Sequence, residues 1–192
     1  ALPDMPAVTV FWADNLPAGA RTTARIVRDN ESLYLAVTCE EPGAAPLRQT
    51  AAKKDDPALL TDDHILIGLD PGRTRTRTFE LAVNAAGQML DRENGGDGKN
   101  PLAWDSGAVV ATTRDKAGWT VELRLPLTAL GVEKFAPGEV WGVNVARLRP
   151  DWNIRLTGPL LYCDVSSLKR CPNIRFIGPK PNEAVPAELE RL

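Results

Sequence analysis

Apolar and polar residues alternate with a period of two along most of this chain. Leu33, Leu35, Val37 and Cys39 share one face of a run. Thr22 to Arg28 alternates before it, and Asp29-Asn30-Glu31-Ser32 between the two has the composition of a hairpin turn. Ile65, Ile67 and Leu69 form the next apolar face, which stops at Asp70-Pro71-Gly72. Phe79, Leu81 and Val83 follow, and Asn84-Ala85-Ala86-Gly87 turns the chain toward Gln88 to Leu90. A strand around Val109 ends near Arg114-Asp115-Lys116-Ala117-Gly118. Trp119, Val121, Leu123 and Leu125 then alternate with Thr120, Glu122 and Arg124 until Pro126, which has no ladder donor. Leu127 to Leu130 reads as one helical turn before Gly131, and Pro137-Gly138 opens a strand carrying Trp141, Val143 and Val145.

Short alternating runs joined by turn residues predict an all-β fold. The hairpins make it a mainly antiparallel β-sandwich, jelly-roll-like and with little helix. Past Pro150 the alternation weakens, with Leu160 to Cys163 and Ile174 to Ile177 as two further strands. The expected organisation is one domain over 1–178 and a Pro-rich tail or linker stub over 179–192. Asp91 to Pro101 is expected as a polar loop and Ala44 to Leu60 as a second long loop, and long loops are where β domains often place their binding residues.

Composition narrows the function. The chain has 192 residues and a net charge of -2. It shows no clustered basic footprint, so nucleic acid is not an expected partner. Arg73, Arg75 and Arg77 alternate with threonines and read as a solvated strand edge or loop. No stretch is long and apolar enough for a bilayer, so no membrane partner is expected. No signal-peptide pattern opens the sequence, and its abrupt start reads as a mature or trimmed fragment. Of three cysteines, Cys163 and Cys171 flank a turn-like stretch and are the candidate disulfide, whereas Cys39 lies in an apolar alternation and reads as buried.

Several segments resemble a known family in order. They are Asp62-Asp63-His64-Ile65-Leu66-Ile67-Gly68-Leu69-Asp70-Pro71, Phe79 to Gly87 closed by Asp91, and Trp104-Asp105-Ser106. Gly118-Trp119-Thr120-Val121-Glu122 through Pro126-Leu127, and Pro137-Gly138 with Trp141 to Arg147, complete the set. Over residues 20–150 this resembles the family 9 carbohydrate-binding modules, within a wider superfamily of sugar- and haem-binding sandwiches. The resemblance implies a non-catalytic module of a larger secreted polysaccharide-processing protein, with a secreted, periplasmic or cell-surface location. It also implies a monomer, or a module within a longer chain. Well-studied members clamp a sugar end between two tryptophans. Here Arg48 to Thr61, ahead of Asp62, contains no aromatic residue, and Trp152 to Gly178 departs from the family pattern. A structural or protein-interaction sandwich that has lost the sugar site is therefore the alternative.

Sugar recognition needs an aromatic face and planar polar groups that pair with adjacent hydroxyls. Trp119 and Trp141 sit in apolar alternations and are assigned to the core, as is Trp12 beside Phe11. Trp152 lies outside any alternation, beside Asp151 and Asn153, and is the candidate platform. Trp104, at a strand start, is either a second platform or a packed corner. Arg147 shares parity with Trp141, Val143 and Val145, so it either meets ligand at a rim or pairs with a carboxylate such as Glu122. Arg149 and Asn144 are further candidates of the same kind.

No cofactor is expected apart from calcium, for which Asp91, Glu93 and Asp97, with Asn94, supply oxygen ligands in one polar stretch. His64 is the sole histidine and is expected half-exposed on a strand. Haem held by His64 and Met89 is a third reading. No nucleophile elbow, zinc-hydrolase motif, phosphate loop or dinucleotide fingerprint is present, so the chain is not expected to be an enzyme, although it could be joined to a glycoside hydrolase.

Overall fold

The structure is a computed structural model. It describes residues 8–10, 20–41, 46–95, 100–136, 138–149, 154–155 and 161–164. The described strands are Val8–Val10 (β1), Thr22–Arg28 (β2), Ser32–Glu40 (β3), His64–Asp70 (β4), Thr78–Asn84 (β5) and Met89–Asn94 (β6). They continue with Val109–Arg114 (β7), Gly118–Pro126 (β8), Val140–Arg149 (β9), Ile154–Arg155 (β10) and Leu161–Asp164 (β11). Among the described residues, helix is confined to short 3-10 turns, such as Pro57–Thr61 and Leu127–Leu130.

The strands form two antiparallel sheets. The first has the order β1-β2-β3-β8-β7, and the second β10-β9-β4-β5-β6, with β11 also pairing with β9. Strand parity explains why they stack. Leu33, Leu35 and Val37 of β3 and Trp119, Val121, Leu123 and Leu125 of β8 point inward from the first sheet. Ile65, Ile67 and Leu69 of β4, Phe79, Leu81 and Val83 of β5, and Trp141, Val143 and Val145 of β9 meet them from the second. Trp119 and Trp141 are both core residues, as the alternation predicts. Burying each such large side chain contributes about 1.5–3 kcal/mol, so the inward faces hold the two layers together.

The glycine of the Gly118-Trp119 segment has a steric role. A Cβ at Gly118 would stand 2.0 Å from the Cys39 carbonyl oxygen on the neighbouring strand, so only glycine lets β8 approach β3 there. Leu127–Leu130 forms the expected single turn, and Gly131 ends it in the left-handed conformation at φ 72°.

The structure departs from the expectations at Asp91 and at His64. The chain from Asp91 does not enter a loop at once, because β6 runs to Asn94 and keeps its ladder with β5. The connection over 46–61 is a loop, as expected, and it closes with the 3-10 turn Pro57–Thr61. Its Ala51 and Leu59 pack against Ala82, Leu90 and Leu66, forming a small second core on the outer face of the second sheet. His64 points to that covered face and is only 1% exposed rather than half-exposed. Of the two late strands, β11 replaces Leu160 to Cys163 with a one-residue shift. Ile174 to Ile177 and the 179–192 tail lie outside the described residues.

Candidate functional site

Inward parity on β9 puts Arg147 and Arg149 on the side that faces the first sheet, at the end where β3 finishes and β4 begins. They are 4% and 3% exposed, and a guanidinium so deeply buried has to be paired. The partner is Glu41, immediately after β3. Arg147 donates through Nη2 to Glu41 Oε1, and Arg149 through Nη1 to Glu41 Oε2, so one carboxylate bridges two guanidinium groups. Arg147 Nη1 also donates to the Glu40 carbonyl oxygen at 3.0 Å and to Thr22 Oγ1 at 3.4 Å. Trp119 Nε1 donates to Glu41 Oε1 at 3.3 Å, and Arg149 Nε lies 3.5 Å from Asp63 Oδ1. Glu41 and Asp63 carry two negative charges against the two positive charges of the arginines, so the cluster is neutral.

This corrects the expected carboxylate partner. Glu122 cannot serve, because β8 turns Trp119, Val121 and Leu123 inward and leaves Glu122 exposed on the outer face.

Beside this cluster, Asp62 and Asp63 fasten the 46–61 connection to the sheet. Asp62 accepts from Thr50 N (2.7 Å), Thr50 Oγ1 (2.6 Å), Ala51 N (3.0 Å) and Asn84 Nδ2 (3.0 Å). Asp63 Oδ2 accepts from Arg48 N at 2.6 Å. Burial pushes the Asp62 carboxyl upward, but the Thr50, Ala51 and Asn84 donors outweigh it and hold the group below the usual aspartate value. His64 is pushed the other way: burial disfavours its imidazolium and lowers its pKa, while the Asp62 carbonyl oxygen sits 2.8 Å from Nδ1.

The remaining candidates fall elsewhere. Asn144 occupies the opposite face of β9 from the two arginines, beside Gly68, with its Oδ1 buried and without a hydrogen-bond partner among the described residues. Trp104 packs as a corner: its ring centroid lies 4.9 Å from that of Phe79, and Nε1 donates to the Ala129 carbonyl oxygen at 3.0 Å. Phe79 pairs with Leu69, whereas Arg147 pairs with Ile65. Four strand residues therefore separate the tryptophan's support from the arginines, on the order of 14 Å. Trp152 lies outside the described residues.

Asp91 and Glu93, the described carboxylates of the calcium set, are each engaged by neighbouring side chains. Asp91 turns to Ser106, accepting from its N at 2.9 Å and its Oγ at 2.5 Å, with Lys54 Nζ at 3.5 Å. Glu93 is engaged by Arg77 Nε at 2.5 Å, and Asp97 lies outside the described residues. Where carboxylates do gather, around Lys54, an ammonium already supplies the positive charge, reaching Asp105 at 2.7 Å and Asp55 at 3.9 Å as well. Among the described residues, no three His, Cys, Asp or Glu side chains form a group suited to a metal ion.

The haem pair is not assembled. His64 faces outward from the second sheet, whereas Met89 belongs to the main core between the sheets. Cys163 stands on β11 opposite Trp141, and its proposed partner Cys171 lies outside the described residues. Sequence reading missed Glu41, Asp63 and Thr22. Their partners are far along the chain, and no local pattern marks such pairs.

Comparison with known proteins agrees with this architecture. Residues 4–154 match the family described as carbohydrate family 9 binding domain-like. A candidate carbohydrate-binding protein from Bacteroides uniformis shares the fold at a TM-score of 0.59 and 14% identity, over 84% of this chain and 82% of that one. A family 9 carbohydrate-binding module from Caldicellulosiruptor kristjanssonii superposes at 0.53 and 15% identity in its cellotriose complex, and at 0.50 and 16% in its glucose complex. Each of these covers 79% of this chain and 69% of the other. No curated protein matches the chain in sequence. A match over most of the length, on a two-sheet sandwich carrying the ordered motifs, places the chain in the carbohydrate family 9 binding domain-like family.

Proposed function

We propose that this domain binds carbohydrate without breaking a bond, as a module of a larger secreted polysaccharide-processing protein. The family match over residues 4–154 carries the reading. The glucose and cellotriose held by the Caldicellulosiruptor modules make gluco-configured sugars the first ligands to try. The proposed site is the end of the sandwich where β9 gives way to β10. Trp152 supplies the aromatic face there, and the Arg147–Glu41–Arg149 cluster makes a rigid floor.

The floor carries little of the binding itself. Both guanidinium groups already bond to Glu41, so the arginines act by fixing the strand ends from which the contacts emerge. This pairing within the chain also favours a second reading, a structural or interaction sandwich without a sugar site. A glycan array that includes glucose and cello-oligosaccharides, followed by calorimetry, separates the two. Binding to one sugar class that is lost in Trp152→Ala supports the module. A blank array on folded protein favours the interaction domain.

A further inference from the structure

The sheet edges of the described residues are protected unequally. β1 is three residues long, and β10 and β11 have two and four. β6 is longer but carries Asp91, Arg92 and Glu93. Short length and charge are two of the ways natural sheets discourage pairing with another chain. β7 has neither. It spans six residues, Val109–Arg114, is uncharged until its last position, and follows the equally uncharged Ser106-Gly107-Ala108. It contains no proline, and its register against β8 runs unbroken from Val109↔Arg124 to Arg114↔Trp119, so no bulge bends it away. Val109 is 62% exposed, and Ala111 and Thr113 are exposed with it.

The hydrogen-bond parity of this edge follows from the turn beside it. Asp115 N donates to the Gly118 carbonyl oxygen at 3.0 Å, closing the β7–β8 hairpin. Antiparallel pairs alternate between bonded and non-bonded from there, so Thr113, Ala111 and Val109 exchange bonds with β8. The N–H and C=O groups of Val110, Thr112 and Arg114 therefore face the open side.

We propose that β7 is a self-association edge, on which two copies of this chain pair their β7 strands antiparallel about a two-fold axis and merge their first sheets into one. The strand is self-complementary. With Ala111 facing Ala111 of the second copy, Val110 falls opposite Thr112, and Val109 opposite Thr113. Arg114 then falls beside Ala108, so no two like charges meet. A strongly acidic or basic partner strand would find no countercharge between Val109 and Thr113, whereas a second β7 needs none. The sequence-based expectation of a monomer does not take this edge into account.

Sedimentation velocity on the purified chain, from low micromolar to near-millimolar concentration, tests the pairing. The mass should rise toward twice the monomer value. Amide exchange at Val110 and Thr112 should slow as it does. Thr112→Pro removes an N–H that bonds nothing among the described residues, and Ala111→Lys sets two like charges face to face. Each variant should stay monomeric with its melting temperature retained. If Thr112→Pro does not fold, Ala111→Lys alone decides. A wild-type chain that remains monomeric throughout overturns the proposal, as does a dimer that survives Ala111→Lys.

Discussion

Asn84 Nδ2 donates to Asp62 Oδ2 at 3.0 Å, tying the turn after β5 to the connection that precedes β4. The same asparagine accepts from Ala86 N and Gln88 N through Oδ1, both at 3.0 Å, so one side chain shapes a hairpin and anchors a loop. Both residues are wholly buried, and neither can lose its partner without stranding a polar group. Asn84→Asp should set a second carboxylate against Asp62 and cost about 3 kcal/mol at neutral pH. Part of that loss should return in acid, where one of the two carries a proton. Thermal melts of the variant at neutral and acidic pH check both statements.

Two groups give stability a pH dependence of the same sign. His64 is held by burial below the ordinary histidine value of 6.5, so the unfolded chain binds more protons between the folded pKa and 6.5. Its contribution is complete above 6.5 and is lost as pH falls toward the folded value. Asp62 lies below the ordinary aspartate value of 3.8, so its contribution is complete above that value and is lost on further acidification. Denaturant titrations should show two declines, one beginning near pH 6.5 and one below pH 4. His64→Gln should abolish the first and leave the second.

Glu41 is the central member of the buried ion cluster. Glu41→Gln keeps the shape of the side chain but leaves two buried guanidinium charges against Asp63 alone. Breaking a buried pair costs about 3–5 kcal/mol. For a chain of this size that corresponds to a melting temperature lower by roughly 10 °C, which calorimetry would read directly.

Cys39 is fully buried beside the same cluster, and burial pushes its thiol up to about 12. It should resist alkylation in the folded chain and react once denaturant exposes it. Peptide mapping after timed alkylation would follow Cys39 as a reporter of global opening. Fast labelling under native conditions would contradict its place in the core.

The sandwich was legible because each strand wrote its own face in the chain. Leu33 to Cys39 and Trp119 to Leu125 alternate so regularly that parity alone sorted core from surface, and it correctly buried Trp119 and Trp141. The same rule showed that Arg147 points inward but not what meets it there, because Glu41 is 106 positions away. The Ala44 to Leu60 stretch was legible as a loop but its packing was not, because the two residues that reach the sheet, Ala51 and Leu59, follow no period. They pack on the sheet as isolated contacts, held by backbone N–H groups that Asp62 and Asp63 collect. Asp91 misled, since a strand that ends in charged residues reads as a loop when only its last half is polar.

The neutral quartet of Glu41, Asp63, Arg147 and Arg149 restricts how this sequence can drift. A single replacement that changes the charge at any one position passes through an intermediate with an uncompensated buried ion, which selection for folding would remove. Change at this end of the sandwich is therefore expected to be concerted, with an acid and a base exchanged or lost together. Among descendants of this chain, the four positions should vary as a set while the strands around them diverge freely.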